Sequence, residues 1–258
     1  MNTDLQHIKK ILDSKVILYN QPSFIEKDPV SIPHLFTKKQ DIEIAGLFAS
    51  VLAWGNRTTI INNSRRLMEL MGNAPYDFIL HHKETDLKPF IYFVHRTFNA
   101  TDLLYFIMFL QEHYRKYDSL EDAFVLAKTY NEDTVEQALI HFHHYFFSIE
   151  HPGRTRKHIS TPERNSACKR INMYLRWMVR KDKSGVDFGV WKKITPRQLI
   201  CPLDVHVARV AHRLGLLENN KATWANALQL TEQLRKFNPQ DPAIYDFALF
   251  GLGMAERF

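Results

Sequence analysis

The chain has 258 residues, 45% of them hydrophobic and only 9 of them glycine. That is enough apolar matter for one large domain or two small lobes, and too much for a disordered chain. The net charge is +6, and the two cysteines, Cys168 and Cys201, show no C-x-x-C spacing, which argues against a disulfide scaffold, a structural zinc site and a cysteine-ligated iron–sulfur cluster. No apolar run reaches the ~18–20 residues of a membrane span. The stretch MNTDLQHIKK has an early acid and no apolar run, so no secretory signal is expected and a reducing cytoplasm is the simplest home.

Period-2 alternation is almost absent and 3.6-residue periodicity is widespread, which predicts an all-α protein. A first helix is expected from Asp4 to Leu18, then a proline-broken connection through QPSFIEKDPVSIP. DIEIAGLFASVLAW reads as a strongly apolar core helix stopped at Gly55. Asn56 opens the next, RTTIINNSRRLMELM, which stops at Gly72, and Pro75 starts a short helix ending near His82. After KPFIYFVHRTFN, Asn99 or Thr101 caps DLLYFIMFLQEHYRKY. Ser119, followed by Glu121 and Asp122, begins another helix; DTVEQALIHFHHYFFSI is the next, ended by His-Pro-Gly. RTRKHIS reads as a basic loop, NSACKRINMYLRWMVRK as a helix, DKSGVDFGVW as a loop and TPRQL as a single turn. Helices over Val205–Leu217, Thr223–Lys236 and from Asp241 to near the end complete the chain, with no internal repeat.

The charge is unevenly spread. Between Arg154 and Arg197 stand thirteen Lys and Arg against three acids, a net of +10, which leaves −4 on the rest. Such a segment is the usual footprint of a polyanion binder, or else a solvated helix face. Within NSACKRINMYLRWMVRK, Ala167, Ile171, Tyr174, Leu175 and Met178 share one face and are expected to be buried. Lys169, Asn172, Arg176 and Arg180 line a separate polar face, with Lys169 near the helix start. A helix start carries unpaired N–H groups and attracts phosphate. Lys169, with Arg170 beside it, suits a lysine nucleophile in that position, although an isolated lysine there also reads as solvated surface. In CPLDVHVARVAHRLGLL, Pro202 stops any helix from running through, and Asp204 precedes the apolar set Val207, Val210, Ala211 and Leu214. Locally Asp204 reads as an N-cap worth ~1 kcal/mol. A carboxylate has lone pairs to spare for a second role. His206, Arg209 and Arg213 share the solvent face of that helix.

The run Pro202-Leu203-Asp204-Val205-His206-Val207-Ala208-Arg209-Val210, with Arg213-Leu214-Gly215-Leu216, resembles the V-D-T-H-V-x-R-V-x-x-R-L-G-L signature of helix-hairpin-helix DNA glycosylases such as endonuclease III and the 8-oxoguanine-cleaving enzymes. Lys169-Arg170-Ile171-Asn172-Met173-Tyr174-Leu175 resembles the hairpin's second helix, K-T-A-N-V-V-L. LFASVLAWGNR resembles the family's early core helix and turn, and YDFALFGLG its late helix. The chain as a whole also resembles an uncharacterised bacterial family grouped with that superfamily. There are departures. Asn165-Ser166-Ala167 replaces the hairpin's Gly-x-Gly, the separation of Lys169 from Asp204 is 35 residues, as in the long-spaced archaeal branch, and no cluster loop is present.

The resemblance implies two helical lobes with a cleft, a barrel lobe over about 36–181 carrying the hairpin and a second lobe from 1–35 plus 190–258. It implies base excision from duplex DNA holding a damaged base, by a monomer in the cytoplasm, associated with the nucleoid. Lys169 is then the Schiff-base nucleophile of a glycosylase with AP-lyase activity, and Asp204 the carboxylate that assists it, with no metal and no cofactor. Asn165, Ser166, Arg170, Arg176, His206 and Arg209 are the implied DNA contacts near the pair, joined by Trp54, Asn56 and Arg57. Trp54 stands where the family often has a gap-filling Gln; it either stacks in the duplex or belongs to the core. Three readings compete. One is a nucleic-acid-binding protein that kept the fold and lost the chemistry. Another is an all-α metallohydrolase built on His81-His82 and His141-x-His143-His144. The third gives the protein RNA or single-stranded DNA as substrate.

Overall fold

The computed structural model describes residues 3–125 and 132–254. Its regular structure is almost entirely helical, and among the described residues no helix is long and apolar enough to cross a membrane. Helix α1 spans Thr3–Tyr19 and the single turn α2 spans Pro22–Ile25. Helix α3, Lys39–Leu52, is the apolar core helix: every residue from Ile42 to Leu52 is buried. It ends before Gly55, whose φ of +104° suits glycine and which lies so close to Arg96 that an added Cβ would meet that side chain at 2.8 Å. Asn56 then caps α4 (Arg57–Leu70), its side chain accepting from Thr59 N–H at 3.1 Å. Left-handed Gly72 and Asn73 end that helix, and Pro75 opens α5, Pro75–His81.

Two stretches depart from the periodic reading. KPFIYFVHRTFN forms the end of a 3-10 helix, Glu84–Tyr92, and a two-residue hairpin in which Val94 pairs with Asn99 and His95 with Phe98. Its turn places Arg96 in the left-handed region, φ +56°. After α6 (Ala100–Tyr114), the helix expected from Ser119 is a 3-10 turn, Leu120–Ala123, capped by the Ser119 hydroxyl; its continuation falls outside the described residues. Helix α7 spans Glu136–Phe146, and the basic RTRKHIS stretch is 3-10 rather than loop, over Gly153–His158.

The last third holds α8 (Lys169–Val179), α9 (Val205–Arg213), α10 (Trp224–Arg235) and α11 (Asp246–Met254). Helix α8 starts later than the pattern suggests because Asn165 and Cys168 both adopt left-handed backbone, at φ +53° and +51°. The chain just before it is a 3-10 turn, Pro162–Arg164, where a hairpin would place an α-helix.

The chain divides into two compact units. One comprises Ile25–Tyr130 and Ala138–Ser160, and its core is aromatic: Phe109 lies 4.3 Å from Phe146 and Phe124 stacks on Phe142 at 4.0 Å, ring to ring. Glu43 is buried there with every demand met, by Tyr114 Oη at 2.9 Å, Ser119 Oγ at 2.5 Å and Leu120 N–H at 3.1 Å. The other unit comprises Met1–Phe24, Asn131–Gln137 and Thr161–Phe258. In it α11 packs on α1 and α9, and at Gly251 an added Cβ would sit 2.1 Å from the Tyr19 ring. Helix α8 falls in the same unit as α9 to α11. Its arginines find their aspartates at 187, 241 and 246 within that unit.

Candidate active site at the starts of two helices

Helix α8 is buried on nearly all sides. Tyr174, Trp177 and Met178 are fully covered, and the 182–191 loop folds back so that Phe188 N–H and Trp191 N–H donate to the Trp177 and Met178 carbonyls at 2.8 and 3.0 Å. The polar face expected to meet solvent is buried too. Arg176, 3% exposed, donates to Asp187 at 3.3 Å and to Asp246. Arg180 donates to Asp187, to Asp182 at 3.0 Å and to both Asp241 oxygens at 2.9 Å. Burial alone would lower the Arg180 guanidinium, but Asp187 and Asp241 more than offset this and hold it above its usual range. Arg176 is thus corrected from a DNA contact to a buried structural cation, since a guanidinium already matched by two carboxylates has none of its charge to offer a phosphate.

Lys169 is the one cation of this face that reaches the surface. It is the first residue of α8, and its Nζ lies 4.0 Å from Asp204 Oδ2, each side chain 27% exposed. Its other contact is Met173 Sδ at 3.7 Å. Asp204 caps α9, but one oxygen performs the capping: Oδ1 accepts from both His206 N–H and Val207 N–H at 2.9 Å. Oδ2 is left to face the lysine. Two capping bonds at one oxygen hold the carboxyl plane while the other oxygen stays available for chemistry. The pair thus joins the starts of two helices, where both fields are positive.

The neighbourhood is partly buried and charged. Asp246, at the start of α11, is buried; desolvation pushes its carboxyl up, Arg176 and Lys169 pull it back, and Asp204 adds to the rise. Burial likewise keeps the Cys201 thiol well above its ordinary value, so it stays protonated. Sequence reasoning passed over Asp246, because nothing local marks an aspartate 70 residues from its arginine.

The other expected contacts divide by unit. Near the pair, Asn165 and His206 are exposed, while Ser166, Arg170 and Arg209 are half-buried. Asn165 takes the left-handed backbone that a glycine favours, so the loop keeps a glycine-like turn without a glycine. The Ser166 hydroxyl accepts from Cys168 N–H at 3.2 Å, and burial lowers the Arg170 guanidinium from its usual range. Trp54, Asn56 and Arg57 lie in the other unit. Asn56 is occupied as the α4 cap, and the Trp54 ring is covered by the Arg96 guanidinium, 4.5 Å from its centre, with His95 at its edge. That cation–π stack takes one face of the ring.

The histidines of the metallohydrolase reading make ordinary bonds. His82 Nδ1 pairs with the Phe78 carbonyl at 2.9 Å and His143 Nδ1 with the Ile159 carbonyl at 2.9 Å. Among the described residues no three His, Cys, Asp or Glu side chains stand together in a way that would hold a metal ion.

Fold and site together define a helical protein with a partly buried amine–carboxylate pair at the starts of α8 and α9. The chain belongs to the family described as protein of unknown function (DUF2400), matched over residues 28–255. No curated protein and no solved structure matches it.

Proposed function

We propose that Lys169 and Asp204 form the active site of a DNA glycosylase with AP-lyase activity, acting on duplex DNA that carries a damaged base. The observation that supports this most is the 4.0 Å approach of Lys169 Nζ to the Asp204 oxygen that capping leaves unused. An amine that is to attack carbon needs a nearby group to receive its proton, within reach of one small movement. Two of the sequence resemblances fall on these two residues.

In this reading the Nζ lone pair bonds to C1′ of the extruded nucleotide as the C1′–N glycosidic bond breaks. The bonding pair leaves with the base, which takes up a proton. Asp204 receives the proton released by the attached amine and offsets positive charge developing on the sugar. Ring opening then breaks C1′–O4′, places a proton on O4′ and leaves a Schiff base on Lys169. Loss of a C2′ proton expels the 3′ phosphate, and water frees the lysine. Arg164, Lys181, Lys183, Lys192 and Lys193, all exposed in the same unit, supply phosphate contacts that position the duplex without reading its sequence. In the same reading Asn165, Ser166, Arg170, His206 and Arg209 are the duplex contacts that go with the pair.

Borohydride reduction tests the reading, because it converts the imine to a stable amine. Wild-type protein, incubated with duplexes holding an abasic site or 8-oxoguanine, is expected to give an adduct on Lys169 that Lys169→Gln abolishes. Binding to these duplexes with no Lys169 adduct on any lesion would instead identify a nucleic-acid-binding protein that lacks the chemistry.

A further inference from the structure

Arg176 and Arg180 are buried, and each is matched by carboxylates. Arg209, on α9, is half-buried and is matched by none. Among the described residues its guanidinium makes no hydrogen bond, ion pair or ring contact, and its Nε is fully covered with no acceptor. Its own helix offers no counter-charge. Val205–Arg213 contains no acid, and the positions three and four residues from Arg209 hold Val205, His206, His212 and Arg213. Asp204, at the head of the helix, is committed elsewhere: Oδ1 accepts from two amides and Oδ2 faces Lys169. Arg213, one turn beyond Arg209, is exposed and equally unpaired among the described residues. Covering part of a cation without pairing it costs free energy that an anionic ligand can return.

We propose that Arg209 is a phosphate-binding residue that takes a phosphodiester of the strand engaged at Lys169, with Arg213 as the following contact along α9. The planar guanidinium fork fits two oxygens of one phosphate. Two unpaired guanidinia about 6 Å apart on one helix face suit the repeated anions of a chain better than a single carboxylate. Helix α9 starts at Asp204, so a strand lying along this face leads to the Lys169–Asp204 pair. The choice of a phosphodiester as ligand rests on the DNA reading above; the unmatched charge of Arg209 does not.

Arg209→Met keeps much of the side chain and removes its charge. With no partner to leave behind, it is expected to hold or raise the urea midpoint, whereas a structural arginine loses stability on the same change; a clearly lowered midpoint overturns the proposal. Binding is read in the Lys169→Gln background, on a duplex carrying a tetrahydrofuran abasic analogue. There Arg209→Met is expected to weaken affinity about tenfold and to reduce by about one the slope of log affinity against log salt, while Arg209→Lys keeps the slope. Unchanged affinity and slope in Arg209→Met overturn the proposal. If no duplex binds, inorganic phosphate decides. A melting temperature raised by phosphate over chloride at equal ionic strength in the wild type, and raised less in Arg209→Met, keeps the anion site and drops the DNA reading. An equal rise in both proteins, or none in either, overturns the proposal.

Discussion

At the C-terminal end of α8, Arg180 meets three aspartates and is 1% exposed; at the N-terminal end of the same face, Lys169 has one carboxylate, at 4.0 Å, and keeps 27% of its side chain in solvent. Both are cations on one helix face, and the fold treats them in opposite ways. A buried guanidinium must have its donors and its charge matched, or it costs several kcal/mol. Arg180 is matched and therefore has nothing left for a ligand. Lys169 sits where water still screens it, so it needs no such matching and is held loosely. Saturated charge in this protein is structural, and charge left partly unmatched is where chemistry is available. The two oxygens of Asp204 repeat the contrast within one side chain: Oδ1 is saturated by two amides and Oδ2 is not.

Four substitutions test that contrast. The largest effect is expected at Lys169: Lys169→Gln lowers the rate of strand cleavage at an abasic site by at least about a thousandfold, with unfolding free energy unchanged to within about 0.5 kcal/mol. Arg180→Ala is the mirror image. It takes the buried guanidinium away from Asp187, Asp182 and Asp241 and is expected to cost about 3–5 kcal/mol in urea denaturation. A loss of under 1 kcal/mol there would break the comparison. At Asp204 the two roles come apart. Asparagine caps a helix as well as aspartate does, so Asp204→Asn is expected to keep stability and lower cleavage by about a hundredfold, while Asp204→Ala loses a further ~1 kcal/mol of stability. Equal stability loss in both variants would show that capping by Oδ1 is not independent of the charge on Oδ2.

The smallest effect is expected at a saturated histidine outside this unit. Burial lowers the His113 imidazole against the opposing pull of its bond to the Ser119 carbonyl, and Tyr145 Oη pairs with its other nitrogen at 3.2 Å. A base lowered in the folded state binds its proton more tightly when unfolded. Its share of stability is therefore complete above the unfolded value of about 6.5 and is lost as pH falls below it. Melting curves between pH 8 and pH 5.5 should show that decline, and His113→Gln should remove part of it, leaving the part due to His141, which burial also lowers. An unaltered slope in His113→Gln would assign the whole decline elsewhere.

Much of the helical order was readable from local pattern. The Asn56 cap, the Gly72 stop, Pro75 at a helix start and the Asp204 cap are each decided by residues within one turn of themselves, and each is found where the pattern puts it. Lys169 and Asp204 could be singled out by type and position at helix starts. The hairpin between Val94 and Asn99 was not readable, because two paired residues on each side are too few to show a period.

What sequence alone determined, then, is where helices begin and which side chains stand at their starts, since capping, turn geometry and amphipathic periodicity act over a few residues. Whether a polar face meets water or a buried partner was decided only in three dimensions. Arg176 and Arg180 look like solvated cations along the chain, and all but one of their aspartates stand 7 to 70 residues away. The approach of Lys169 to Asp204 across 35 residues is of the same kind. Electrostatic matching depends on distance in space, which no local spacing encodes, so the same lysine and arginines could be told apart only once α8 had been packed against α9 and α11.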